Sequence, residues 1–151
     1  MDERIERVKT YLESYGAYKR KVAAAREELD VLRSLAEYPS RSTEHMIPGA
    51  PSVGNASDRV GNRSAEIADF MNKLDDEIVC LIKRGHRVSQ LISTLENSSL
   101  FDVAYQKYIN GKTTEEIAES LNYSPRHTVR LHKSALEQLA ITYETWDKEA
   151  G

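Results

Sequence analysis

Apolar residues recur along this chain in two long seven-residue beats and then in two short helical ones, with polar residues filling the positions between. Val8, Tyr15, Val22, Leu29 and Ala36 stand seven apart, and Tyr11, Tyr18, Ala25 and Leu32 supply the complementary positions. Sustained over about four heptads, this beat predicts a long helix that lays a seam against another helix. The plainer alternative is one amphipathic helix on a globular core. Three Tyr in the seam favour a helical hairpin or loose bundle over a tight two-stranded coil. A cleaner beat follows at Ile67, Leu74, Leu81, Val88 and Leu95, flanked by Met71, Ile78 and Ile92. Two such helices joined by a loop can fold back antiparallel and bury one seam against the other. Phe70 and Leu91 would then remain as apolar flanks, which suggests self-association. Gly85 interrupts the second beat at a cost of about 1 kcal/mol relative to Ala, and marks either a close helix crossing or a weak spot.

The breaks between these beats carry their own signals. Pro39 ends the first helix, and the stretch from 39 to 63 holds three of the four Pro and three of the seven Gly. Such a composition buries too little apolar surface to offset its ordering entropy and predicts a mobile loop. Arg41, Arg59 and Arg63 in it read as solvated, with a backbone contact to nucleic acid as the minor alternative. Met46 and Ile47 could form a short docking patch. Ser64 is placed to cap the second helix. Asn97-Ser98-Ser99 marks the next break, with Ser99 as cap for a helix from Leu100 to Ile109 that packs through Val103, Ala104 and Tyr108, and Asn110-Gly111 closes it.

Thr113 followed by Glu116 is a capping box, so a short helix begins at Thr114 with Ile117, Ala118 and Leu121 inward. Asn122 and Tyr123 end it. Ser124 is a natural N-cap and Pro125 fits the first helical position, where its missing N–H costs nothing. In the helix that follows, Thr128, Leu131, Ala135 and Leu139 share one face, widened by Val129, Leu136 and Ala140, and Arg126, Arg130 and Lys133 lie opposite. Two helices with a three-residue break between them are a helix-turn-helix pattern. The expected fold is therefore all-α. A long, coiled-coil-like helical hairpin over 1–97, with its loop at 39–63, is followed by a three-helix helix-turn-helix unit over 98–151 that ends in an acidic tail. Ala140, Tyr143 and Trp146 continue the apolar flank of the last helix into that tail, to pack on the hairpin or on a second subunit.

Charge sharpens this picture. The chain is acidic overall, with 21 Lys and Arg against 24 Asp and Glu, which argues against a nonspecific nucleic-acid coat. Yet from Asn122 to Leu136 there is no acidic residue and there are three fixed positive charges. Cations on a helix face are usually just solvated. Joined to the capping box, the short helix and the tight turn, they suit a helix held at a fixed angle for major-groove readout, where Lys and Arg neutralise phosphates and Arg can address a guanine edge. The candidate DNA-binding residues are Arg126, His127, Arg130 and Lys133, with Ser124 capping the recognition helix and Lys112 just ahead of the first one.

The run Ile109-Asn-Gly-Lys-Thr-Thr-Glu-Glu-Ile-Ala-Glu-Ser-Leu-Asn-Tyr-Ser124, followed by Arg130-Leu-His-Lys-Ser-Ala-Leu136, resembles the C-terminal part of phage ArpU and RinA type transcriptional regulators, itself similar to region four of sigma factors. The likeness covers roughly residues 98–140, and the N-terminal half is similar in layout only. Thr128 departs from the pattern, since relatives tend to carry an aliphatic residue there. The resemblance implies a phage or prophage regulator of late genes, acting on double-stranded DNA in the bacterial host cytoplasm, with RNA polymerase as a further candidate partner.

Other chemistry is sparse. There is no phosphate-cradling Gly loop and no Cys pair for zinc, so neither an enzyme nor a cofactor is expected. His127 and His132 fall on different faces, the first towards the proposed DNA surface and the second on the apolar side as a packing residue. Asp75, Asp76 and Glu77 read as a solvated acidic run. Cys80 reads as a small packed residue that a symmetric dimer could bring together with its copy. No membrane role is expected, and the expected cellular home is the cytoplasm. The main expectation is a sequence-specific regulator acting as a homodimer or higher homo-oligomer. The alternatives are a DNA-packaging protein similar to the small terminase subunit, or a region-four-like module that binds RNA polymerase without DNA.

Overall fold

The computed structural model describes residues 2–37 and 56–150, with side chains over 2–37 and 63–149. The described residues are all-α: α1 (Glu3–Glu37), α2 (Ala56–Ile92), α3 (Ser98–Tyr108), α4 (Thr114–Leu121) and α5 (Pro125–Ala150). Two long helices thus precede three that carry the helix-turn-helix pattern. By their contacts the residues fall into two compact units, one of residues 1–19 with 80–151 and one of residues 20–79. The first half of α1 and the last turns of α2 therefore belong with α3, α4 and α5.

In the first unit the core is built from four helices. Val8 and Leu12 of α1, Val88, Leu91 and Ile92 at the end of α2 and Leu95 just beyond it join Leu100, Ala104 and Tyr108 of α3 and Ala135, Leu136, Leu139 and Ala140 of α5. Burying each large aliphatic side chain contributes roughly 1.5–3 kcal/mol. Leu12 falls between the expected seam positions and is nonetheless fully buried. Leu91, expected as an outer flank, is fully buried as well, so it is unavailable for self-association. Both residues lie off the α1–α2 seam, and the rest of the four-helix core, with its α3 and α5 side chains, reaches these flanks. Gly85 marks a close crossing: a Cβ there would sit 2.6 Å from Cε2 of Tyr15.

The distal half of α5 is fixed onto α1, as the apolar continuation at Tyr143 and Trp146 implied. The Tyr11 and Tyr143 rings lie 4.9 Å apart, and the Arg4 guanidinium meets Glu144 at 3.2 Å. Arg84 lies over Tyr11 and Arg87 over Trp146, at 5.1 and 5.9 Å from the ring centroids. Cys80, expected to be packed, is exposed, beside Tyr11, Tyr18 and Trp146 in an open cleft.

The second unit pairs the remaining halves of α1 and α2 in antiparallel sense. Lys21 faces Glu77 at 3.9 Å, while near the other end Arg63 donates to the Leu35 carbonyl at 3.2 Å. Val22, Leu29 and Leu74 are buried there, and Ile67 and Phe70 are half-buried. Asp75 and Asp76 are exposed, as a solvated run should be, whereas Glu77, expected in the same run, is half-buried against Lys21. α2 begins at Ala56 rather than at Ser64, so 56–63 of the expected loop are helical. Val60 stands one heptad before Ile67, no Pro interrupts 56–63, and the cost of Gly61, about 1 kcal/mol, is too small to stop the helix. The rest of that expected loop, with Arg41, Met46 and Ile47, lies outside the described residues.

Short local rules set the last three helices. The cap of α3 is Asn97 rather than Ser99: its side chain accepts from the Ser99 N–H at 2.9 Å and the Leu100 N–H at 3.3 Å, and Asn is among the strongest N-caps. α3 closes through Gly111, whose φ of 70° is the left-handed conformation that glycine adopts without strain. Lys19 reaches from α1 to donate to the carbonyl of Ile109, satisfying an acceptor that the helix end leaves free. Thr113 and Glu116 form the complete reciprocal capping box, and Asn122 ends α4 at φ 57°. Ile117 and Ala118 are buried and Leu121 is half-buried.

Candidate nucleic-acid interface

α5 starts where the turn residues place it. Ser124 Oγ accepts from the His127 N–H at 3.1 Å, and Pro125 occupies the first helical position. Behind the turn, the His127 ring meets the Tyr123 ring edge-on at 5.0 Å, and the Tyr123 hydroxyl donates to Ser99 Oγ at 3.4 Å. The start of α5 is thereby tied to the start of α3 as well as to α4.

One face of α5 anchors it. Thr128, Ala135, Leu136, Leu139 and Ala140 are buried, and Leu131 is half-buried. Thr128 is 1% exposed, and its hydroxyl donates to the Ser124 carbonyl at 3.1 Å. Its polar group is therefore satisfied inside the helix, and its departure from an aliphatic residue leaves the helix rotation as the apolar pattern sets it. His132 also packs inward, with its Nε2 2.6 Å from the Tyr108 hydroxyl. Burial pushes the Tyr108 hydroxyl up and, with Lys107 and Lys9 adding repulsion, pushes His132 down to about 4. Both groups are then neutral near pH 7, so the tyrosine O–H donates to the unprotonated imidazole nitrogen.

The opposite face carries the candidate residues. Arg126, Arg130 and Lys133 are exposed along one stripe, at positions i, i+4 and i+7, and exposed His127 stands to one side of it. The next residue in the stripe is Glu137, so the cationic surface covers only the first turns. Lys112 stands apart on the loop between α3 and α4, half-buried, with its ammonium donating to Gln106 at 3.1 Å.

The electrostatics of this start are unusual for a helix. A helix N-terminus carries partial positive charge and is stabilised by acidic residues. α4 follows that rule with Glu115 and Glu116 in its first turn, whereas α5 has no acidic residue there and carries Arg126 and His127 instead. Cationic side chains, the free Arg126 amide and the helix dipole all favour an anion at this end.

Val129 is a correction to the sequence reading. Expected to widen the buried arc, it is 54% exposed, because Thr128 occupies the inward position and the next residue is turned about 100° away from it. It lies among the cations of the outer face. The signal was available in the sequence, since Val129 sits three residues after Arg126 and four before Lys133, a spacing that puts it beside both.

Among the described residues no group of three or more His, Cys, Asp or Glu is placed to hold a metal ion, and no helix is long and apolar enough to cross a membrane. No family model, curated protein or solved structure matches this chain.

Proposed function

We propose that the protein is a sequence-specific DNA-binding regulator that lays the first turns of α5 in the major groove. The observation that carries this reading is the inverted charge at the start of α5. A helix that gives up acidic residues where they would stabilise it, and presents Arg126, His127, Arg130 and Lys133 to solvent, loses fold stability for a surface that suits phosphates and base edges. The short helix α4 and its three-residue turn support the same reading, since they hold α5 at one angle. Arg130 is assigned to a base edge and Arg126 and Lys133 to phosphates, with Ser124 maintaining the helix start. Lys112 contributes to the phosphate field from the loop.

The resemblance of residues 98–140 to ArpU and RinA type regulators extends the proposal to control of phage or prophage late genes in a bacterial host, with RNA polymerase as a further partner. The hairpin is assigned the pairing of subunits, because a single small module supplies modest specificity and two half-sites multiply it. Val31 and Leu35 are 60% and 57% exposed in the second unit, with Met71 and Val79 exposed there too, and they offer apolar surface for that contact.

Selection of duplexes from a random pool tests the reading, followed by fluorescence anisotropy at two salt concentrations and light scattering on the same sample. One sequence family is expected to be enriched by the protein and lost in the Arg126→Ala/Arg130→Ala variant. Arg130→Ala alone should weaken cognate binding by about 1–3 kcal/mol and relax preference at one position, whereas Lys133→Ala should mainly flatten the salt dependence. An unenriched pool, or a double variant that binds like the parent, would overturn the proposed face. A many-subunit ring binding DNA without preference would point to packaging, and a protein indifferent to DNA to a polymerase-binding module.

A further inference from the structure

Val129 has no packing role that accounts for it. Between Pro125 and Leu136 the other large aliphatic side chains, Leu131 and Leu136, are half-buried and buried, while Val129 is 54% exposed. A β-branched residue is also a poor choice for an exposed helical position, because its χ1 freedom is lost against the preceding turn. A lone apolar residue elsewhere on a surface needs no explanation. This one lies about 60° around the helix from Arg126 and about 40° from Lys133, within a turn of each along the axis. It is the apolar element of an otherwise cationic face.

Resting on the DNA-reading function proposed above, we infer that Val129 is a specificity-determining residue that recognises the C5-methyl group of a pyrimidine in the major groove. Valine can neither donate nor accept a hydrogen bond, so against the N7, O6, N6 or N4 groups of other base edges it would leave a polar atom desolvated and unpaired. The one apolar group that an unmodified duplex presents in that groove is the thymine methyl. A 5-methylcytosine offers the same group from a different base. Stiffness becomes an advantage here: a side chain with one preferred rotamer loses little freedom on contact. Arg126 and Lys133 on either side would hold the backbone while Arg130, one residue on, addresses a neighbouring base.

The test uses the full-length protein and the duplex that it enriches. Each thymine is replaced in turn by deoxyuridine, which removes only the methyl group, and each cytosine by its 5-methyl form, which adds one. Wild-type protein should lose about three- to ten-fold in affinity at one thymine-to-deoxyuridine replacement, the scale of one apolar base contact. Val129→Ser should bind the two versions equally, and Val129→Ile should keep the discrimination. A gain by wild type alone on methylating one cytosine would identify 5-methylcytosine as the source. Since Val129 is exposed, both variants should melt with the parent, which separates lost contact from lost fold. Wild-type binding that depends on Arg126 and Arg130 but ignores every methyl group would overturn the role of Val129 alone, as would Val129→Ser keeping the wild-type discrimination. Failure to enrich any duplex would overturn the parent reading with it.

Discussion

Three residues show how local chemistry translates into stability here. The Cβ that Gly85 lacks would meet the Tyr15 ring at 2.6 Å, closer than packed carbon atoms approach. Ala in place of Gly within a helix gains about 1 kcal/mol, but moving the ring from its place between Gly85 and Lys19, whose ammonium lies 4.4 Å from the ring centroid, costs about 1–3 kcal/mol. Gly85→Ala should therefore lower stability in the parent and raise it in a Tyr15→Ala background. Urea melts of the four proteins in that cycle would read the sign change, and equal effects in both backgrounds would remove Tyr15 as the reason for the glycine. At Thr128 the expectation is the reverse of the usual cost of a core change. Its carbonyl partner on Ser124 also accepts the Thr128 N–H at 3.0 Å, so Thr128→Val leaves no acceptor unpaired and should be neutral or stabilising. A loss above 1 kcal/mol would show that the hydroxyl does more than satisfy itself.

His132 gives the fold a pH dependence with a defined sign. Its folded value of about 4 lies below the ordinary 6.5 because burial penalises the charged ring. As pH falls below about 6.5 the unfolded chain takes up a proton that the folded chain refuses, so stability declines from there to about pH 4 and levels off below. Because solvent screens part of the ring, the loss is on the order of 2 kcal/mol. His132→Gln keeps an acceptor for the Tyr108 hydroxyl and does not titrate. Its melting temperature should fall less than the parent's between pH 7 and 4.5, and parallel curves would refute the assignment.

At the scale of elements, what could be read from the sequence was what short-range chemistry decides. Thr113 and Glu116, Asn122, Ser124 and Pro125 lie within a few residues of the amides and carbonyls they satisfy, and the boundaries of α4 and α5 followed from them. Thr113→Ala should cost about 1 kcal/mol by opening the capping box, with helix content near α4 reporting it. The start of α2 was hidden because Gly61 and Ser64 resemble a boundary while the helical pattern continues back through Val60. Leu12 and Leu91 were hidden for a different reason. A heptad beat describes one seam between two helices, and these residues are buried in a core that draws on four. Val129 fell on the border of an apolar arc, where one residue of rotation separates core from surface. The distinction mattered for the candidate site: spacing puts Val129 beside Arg126 and Lys133, but also about 20° around the helix from buried Leu136, so the same pattern suited a core position.

For the molecule as a whole, the grouping of residues 1–19 and 80–151 makes α5 part of one unit with both ends of the hairpin. Its first turns are fixed by α3 and α4, and its last turns by Tyr11 and Arg4 of α1. Under the proposed function, a helix held along its length in this way pays little ordering cost on binding, which favours a fixed register on DNA over an adaptable one. The acidic distal residues Glu144, Asp147 and Glu149 confine any phosphate contact to the other end. If the outer face of the first turns of α5 meets DNA, as proposed, the contact can be mapped directly on a 17.1 kDa chain by NMR titration with the enriched duplex. The largest changes should fall on the Arg126 and Arg130 guanidinium resonances and the backbone amides of residues 124–133. Changes centred instead on Lys83, Arg84 and Arg87, or spread evenly over the cations of the chain, would rule out α5 as the DNA-contacting helix.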